Sequence, residues 1–218
     1  MNVNTVLFDF DGTLANTLPL AIYGMKQVFE KFDGRSFDEN GIVSMFGPTE
    51  DSMIARNFRH KEKIQEAIDS YYQIYEDRHH DYVEDNSDIV NLLQELKELR
   101  MKIGVITGKS RRAYRLSEKA LGFKGFFESV ITGDDVSRPK PDPEGIKKTL
   151  NKFAALPETA IYIGDSNTDI LAGKAAGIRT AAVQWLPVTQ SSSFPARPDY
   201  HWSKVSQLID WLKGERAL

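Results

Sequence analysis

The 218-residue sequence predicts an α/β protein: a three-layer α/β/α core around a parallel sheet, with an all-helical segment inserted after the first strand. Three observations carry that expectation. Short apolar runs alternate with stretches in which apolar residues recur at helical spacing. Several of those runs end in a cluster of Asp, Gly, Thr, Ser or Lys. Between the first run and the next, residues 16–82 show helical spacing only. Strands alternating with helices imply crossover connections and a parallel sheet, whose carboxyl edge is where ligands bind.

The first strand is Val6-Leu7-Phe8, an apolar run without a polar break, as in a strand buried on both faces. Asp9-Phe10-Asp11-Gly12 follows at its carboxyl end. Side chains alternate along extended chain, so Asp9 and Asp11 project to one side, and Gly12 lets the backbone turn sharply beside a ligand. Two carboxylates so placed need a cation or a proton between them. Mg²⁺, which takes oxygen ligands beside a substrate phosphate, is the natural candidate. Asp-x-Asp-Gly also occurs in plain turns and in calcium loops. A calcium loop needs more oxygen ligands and a closing glutamate, which the residues from Thr13 to Leu20 do not supply.

Leu18, Ile22, Met25, Phe29 and Phe32 then recur at spacings of four and three, which predicts an amphipathic helix. Gly41, Gly47 and Pro48 mark loops before a short helix over residues 52–58, and Ile64, Ile68, Tyr71 and Tyr75 define another long helix. Beyond residue 82 the pattern alternates. A helix carries Ile89, Leu92, Leu93, Leu96 and Leu99; a strand covers 102–107; a helix covers 110–121 and is closed by Gly122. A strand at 130–132, a helix at 144–153, a strand at 160–163, a helix at 166–176 closed by Gly177 and a strand at 180–184 follow. Residues 191–198 read as a surface loop, and Val205, Leu208, Ile209 and Leu212 lie on a last helix.

Three later strands also end in polar clusters. Thr107-Gly108-Lys109-Ser110 offers a hydroxyl and backbone N–H groups at a strand-to-helix turn, which suits an anion. Ser110 has an equally good reading as a helix N-cap. In Arg138-Pro139-Lys140-Pro141-Asp142-Pro143 the prolines stiffen the segment, so Lys140 is carried as a fixed counter-charge, while Asp142 and Pro143 suit the N-cap and first position of the next helix. In Gly164-Asp165-Ser166-Asn167-Thr168-Asp169, Asp165 emerges at a strand tip and Asp169 faces it from the first helical turn. Ser166 and Asp169 also form a capping pair. Adjacent His79 and His80 diverge on a helix and read as solvated surface; Tyr71, Tyr72 and Tyr75 read as packing; Glu95, Lys97, Glu98 and Arg100 read as a solvent face.

With 41% hydrophobic residues the chain buries a full core. A net charge of −3, with no long basic run, points away from nucleic acid and anionic membranes and towards small partners. No cysteine is present, which excludes disulfides and thiol catalysis. The first strand begins within a few residues of Met1 and no apolar run approaches the ~20 residues of a membrane span, so a soluble, cytoplasmic protein is expected; its expected assembly is a monomer or homodimer.

The motifs together resemble the haloacid dehalogenase superfamily, in its phosphoglycolate phosphatase-like branch with a helical (C1-type) cap on a Rossmann-like core. DFDGTL at 9–14, Thr107-Gly108, Lys140 within RPKPDP and GDSNTD at 164–169 occur in the family's order and span nearly the whole chain. The resemblance implies a catalytic core of residues 1–15 and 83–218 and a cap of residues 16–82. It implies Asp9 as the nucleophile that forms an aspartyl-phosphate and Asp11 as the acid/base. Mg²⁺ would be held by Asp9, Asp165 and the main-chain carbonyl of Asp11, with Asp169 supporting. Thr107 and the N–H of Gly108 would hold phosphoryl oxygens, and Lys140 would neutralise charge in the transition state. Thr49 and Glu50, on the cap, would govern substrate choice.

The sequence departs from relatives in places. Val83-Glu84-Asp85-Asn86 stands where they often show Pro-Gly. Phe46-Gly47-Pro48-Thr49-Glu50 lacks the arginine of phosphoglucomutase relatives, which argues against a mutase, and Asp11 argues against dehalogenase and phosphonate-cleaving relatives. The expected activity is Mg²⁺-dependent hydrolysis of a small, phosphoglycolate-like phosphorylated metabolite. The alternatives are an inorganic pyrophosphatase on the same residues and a non-catalytic phosphate-binding regulator.

Overall fold

A computed structural model describes residues 3–84 and 86–217; Asp85, in the segment that departs from the family pattern, lies outside the described residues. Strand β1 (Thr5–Phe8) leads into α1 (Leu18–Asp33), α2 (Glu39–Val43), α3 (Glu50–Asn57), α4 (Ile64–Asp77), α5 (His79–Tyr82) and α6 (Ser87–Glu98). Then come β2 (Lys102–Ile106), α7 (Arg111–Ala120), β3 (Ser129–Ile131), α8 (Glu144–Phe153), β4 (Ala160–Gly164), α9 (Asn167–Ala176), β5 (Arg179–Val183), β6 (Tyr200–Trp202) and α10 (Val205–Ala217). The six strands form one parallel sheet in the order β3-β2-β1-β4-β5-β6.

All four residues of β1 are buried, as its central place requires. Alternation divides them between the two faces. Val6 and Phe8 pack with Leu92, Leu93 and Leu96 of α6 and Leu208 and Leu212 of α10, while Leu7 packs with Tyr162 and with Ile146 and Leu150 of α8. A third apolar cluster lies among the helices between β1 and α6. Phe29 of α1, Ile54 of α3 and Tyr71, Tyr72 and Tyr75 of α4 are all buried in it, and Ala113 of α7 joins it to the sheet layers. Phe29 and Ile54 each contribute about 1.5–3 kcal/mol on burial.

The sequence reading needs correction at several points. β6 lies in a stretch where the sequence predicts no strand; Tyr200 and Trp202 stack at 5.5 Å and close the sheet edge against Trp211 of α10. His79 is buried, not solvated, because Ser117 Oγ lies 3.0 Å from its Nε2 and Tyr75 packs on its ring. Helix α8 starts at Glu144, but its N-cap residue is Pro143 and not Asp142, which instead accepts a hydrogen bond from Glu144 N at 2.9 Å. Among the described residues no helix is long and apolar enough to cross a membrane.

Candidate active site

The register that pairs Phe8 with Val105 on one side and Ile163 on the other brings the ends of β1, β2 and β4 level. Asp9, Thr107 and Asp165, each just beyond its strand, therefore share one edge of the sheet. Asp9 N donates to Ile163 O at 2.8 Å and Thr107 N to Ile131 O at 3.0 Å, so the backbone stays paired where these side chains begin. Gly12 makes the turn after β1 with φ 79°, and a Cβ there would stand 2.2 Å from Asp165 Oδ2. That position admits only glycine without displacing Asp165.

Asp9, Asp165 and Asp169 are buried and each brings one carboxylate oxygen within 4.8 Å of the others. Lys140 Nζ stands 2.6 Å from Asp169 Oδ1 and 2.9 Å from Asp9 Oδ1. The contact to Asp9 is an ion pair without hydrogen-bond alignment, so Asp9 Oδ1 is buried with no hydrogen-bond donor. Asp169 is different. Its Oδ1 meets Lys140 and the Tyr162 hydroxyl, and its Oδ2 accepts from Ser166 N at 3.0 Å and Ser166 Oγ at 2.5 Å, in a capping box that starts α9. Asp169 thus caps α9 and lies in the acid cluster. Asp165 accepts from Thr13 Oγ1 at 3.3 Å and from Gln190 N at 2.6 Å.

Crowding and burial set the protonation of this cluster. Burial first, then the charge of Asp169, push Asp9 up to about 7 against the opposing pull of Lys140. Burial, then Asp9 and Asp169, raise Asp165 well above the usual carboxylate range. Burial disfavours the Lys140 ammonium, but Asp169 and Asp9 outweigh it and hold its pKa above the ordinary lysine value. Three buried carboxylates facing one cation are short of positive charge. An Asp9 oxygen whose contact is the ion pair with Lys140, within an all-oxygen donor set, fits a hard divalent ion such as Mg²⁺.

Asp11 lies outside that cluster. Its Oδ1 takes the Lys109 ammonium at 2.9 Å and the Thr17 hydroxyl, and its main-chain carbonyl lies 3.4 Å from Gln190 Nε2. Lys109, 1% exposed, also sits 3.4 Å from Glu50 Oε1 and 4.7 Å above the Tyr75 ring. Burial opposes its charge, but Asp11, Tyr75 and Glu50 together raise its pKa well above the ordinary value. Glu50, the first residue of α3, is buried and accepts from Ser110 N at 2.7 Å. Thr49 is the N-cap of α3 and packs beside Gly133, outside the cavity lining. Ser110 is the N-cap of α7, accepting from Ala113 N at 3.2 Å.

A cavity of about 330 Å³ opens over this edge. Asp9, Asp11, Thr107, Gly108, Lys109 and Lys140 form its floor, and α1, α3 and the segment around Gly47 form its roof. Thus Asp9, Asp11, Thr107, Gly108, Lys140 and Glu50 converge on one space, Asp165 and Asp169 stand behind Asp9, and Thr49 stands apart. Lys109, Thr17 and Gln190 complete the site without having been singled out in the sequence. Lys109 carried a signal, since it lies inside Thr-Gly-Lys-Ser; Thr17 and Gln190 carried none.

The sequence model of the haloacid dehalogenase-like hydrolase family matches residues 6–183. The chain belongs to that family. As a haloacid dehalogenase-like hydrolase it is 34% identical over 212 residues to a protein named pyrophosphatase PpaX from Bacillus cereus, with 97% of each chain covered. Its fold matches CbbY from Rhodobacter sphaeroides, solved in complex with phosphate, with a TM-score of 0.81 at 22% identity over 94% of this chain and 96% of that one. It also matches a predicted phosphoglycolate phosphatase from Haemophilus somnus, with a TM-score of 0.83 at 18% identity over 97% and 98% of the two chains.

Proposed function

We propose that this hydrolase is a Mg²⁺-dependent phosphatase that cleaves a small phosphorylated metabolite through an aspartyl-phosphate on Asp9. The observation that carries the reading is Asp9 itself: a buried carboxylate at the cavity floor, one oxygen without a hydrogen bond, set between Lys140 and two further acids. Asp9 and Asp165, with the main-chain carbonyl of Asp11 and with Asp169 in support, would hold Mg²⁺, which when bound neutralises phosphoryl oxygens and keeps the acids ionised.

Asp9 attacks phosphorus, and the bond from phosphorus to the leaving oxygen breaks as Asp11 gives that oxygen a proton. Asp11 then takes a proton from the water that attacks the aspartyl-phosphate, which returns free Asp9 and inorganic phosphate. The Thr107 hydroxyl and Gly108 N–H hold phosphoryl oxygens, and Lys140 opposes the negative charge that gathers in the transition state. Thr17 and Lys109 keep the Asp11 carboxylate turned to the cavity.

Residues 16–82 act as a cap over residues 1–15 and 83–218, excluding water and contacting the leaving group. Glu50 reaches the cavity, which supports its part in substrate choice; Thr49 would act through the start of α3. The enzyme works as a cytoplasmic monomer or homodimer on small substrates. Phosphoglycolate and, from the relative named pyrophosphatase, inorganic pyrophosphate are the two substrates to test first. Acid-quenched enzyme analysed by mass spectrometry should carry phosphate on the Asp9 peptide during turnover of a phosphorylated metabolite. Phosphate on another residue, or normal turnover by Asp9→Asn, overturns the mechanism, and no hydrolysis of any member of a phosphometabolite panel overturns the activity.

A further inference from the structure

The roof of the cavity separates the candidate leaving groups by charge. Leu18 and Met25 of α1, Val43 of α2, Phe46 and Pro48 of the following segment and Met53 of α3 line it, and all are apolar. Among the described residues that line the roof, Glu50 is the one charged side chain, and its charge is negative. The cations lie in the floor and are already engaged. Lys140 is held by Asp9 and Asp169, and Lys109 by Asp11 and Glu50.

Five carboxylates, from Asp9, Asp11, Glu50, Asp165 and Asp169, surround the site against two ammonium groups. One divalent ion, with the proton that Asp11 is to donate, brings that balance to about zero, so no positive charge is left over to pair with a second anionic group on the substrate. A second anionic group on the substrate would lie against an apolar roof and a carboxylate, where like charges a few ångströms apart in a partly desolvated space repel by several-fold more than in water. The roof does offer hydrogen bonding: Tyr71 lines the cavity, and its buried hydroxyl has no hydrogen-bond partner among the described residues.

From this we infer that the substrate is a phosphomonoester whose leaving group is uncharged and partly apolar, rather than pyrophosphate or a phosphorylated carboxylic acid. This rests on the phosphatase reading and deepens it. The cavity volume of about 330 Å³ is at the small end for metabolite sites, enough for a phosphoryl group and a short neutral chain.

The test compares two substrates that differ in charge and little else: phosphoglycolate and its methyl ester, with inorganic pyrophosphate beside them, at saturating Mg²⁺. The ester should show kcat/KM on the order of tenfold or more above the acid and above pyrophosphate. Val43→Lys then tests the cause. Val43 is 40% exposed, so a lysine there is sterically tolerated and places a cation at the cavity rim. It should raise kcat/KM for the acid and for pyrophosphate relative to that for the ester, narrowing the ratio, and a ratio left unchanged or widened argues against charge as the cause. Equal or better turnover of phosphoglycolate or pyrophosphate by the unmodified enzyme, with phosphate trapped on Asp9, overturns this inference and leaves the phosphatase reading intact. No phosphoenzyme and no phosphate release with these three or with any member of the phosphometabolite panel overturns both.

Discussion

Asp9→Asn offers a measurement of what the acid cluster costs the fold. In the metal-free protein Asp9 is raised from the ordinary 3.8 to about 7, because burial and the charge of Asp169 favour its neutral form. The sign follows from linkage. The folded state keeps the proton up to about pH 7 while the unfolded chain releases it near pH 4, so the native state binds more protons in that window and stability falls as pH rises through it. Below about pH 4 the penalty is absent; above about pH 7 it is complete. A shift of about three pH units at ~1.4 kcal/mol each amounts to about 4 kcal/mol at pH 8. Asparagine keeps the shape and removes the charge, and the pull of Lys140 is already contained in the value near 7, so the expected gain at pH 8 is a few kcal/mol, about 2–4. For a domain of this size that is roughly 4–16 °C in Tm. Urea unfolding in EDTA at pH 4, 6 and 8 should show Asp9→Asn gaining stability over the wild type as pH rises, with no difference at pH 4, while Mg²⁺ stabilises the wild type more than the variant. A variant less stable than wild type at pH 8, or equally stabilised at pH 4 and 8, would refute the electrostatic account.

Exhaustive chelation should abolish turnover, Mg²⁺ should restore it, and Ca²⁺, with its larger and looser shell, should inhibit; full activity in EDTA would sink the metal assignment. Lys109→Met should lower stability by about 3–5 kcal/mol by denaturant unfolding, since Asp11 and Glu50 would be left without their buried cation, and should also cut kcat through misplacement of Asp11. Gly12→Ala must strain a positive φ, at about 1–3 kcal/mol, and displace Asp165, so Mg²⁺ affinity measured by calorimetry should fall along with Tm. Asp11→Asn should slow turnover by about 10²–10⁴-fold, and with a very good leaving group it should accumulate phosphate on Asp9 visible by mass spectrometry.

The legible parts of the chain were those whose signal is local and long. Leu18 to Phe32 and Ile64 to Tyr75 show helical spacing over several turns, and α1 and α4 run where that spacing places them. Residues 144–153 are α8 as expected, and the strand at 160–163 extends by one residue to Gly164. Periodicity needs length, so three-residue β6, five-residue α2 and four-residue α5 gave none. Burial of His79 depends on α7 presenting Ser117 to it, which no neighbour in sequence announces. The same holds in the site. Carboxylates at strand ends were visible as motifs, because a strand and a turn fix them locally. The clasp of Lys109 by Asp11 and Glu50 joins three distant stretches, and the Trp185 indole donating to Thr13 O at 2.7 Å joins two more. Such contacts exist only once the layers have packed.

The order β3-β2-β1-β4 means that α1 to α5 hang within the single connection from β1 to β2, and that α6 alone returns the chain to the sheet. Those five helices can lengthen, shorten or be rebuilt without shifting the pairing of Thr5 with Lys102, and the entropic cost of a longer excursion grows by only ~0.6 kcal/mol per doubling. What they must preserve is their footing on α7, where Tyr72 meets Ser110 at 2.7 Å and Tyr75 meets Ser117 at 2.9 Å. Changes in the roof can therefore reshape the cavity without moving the strand ends that carry the acids beneath it.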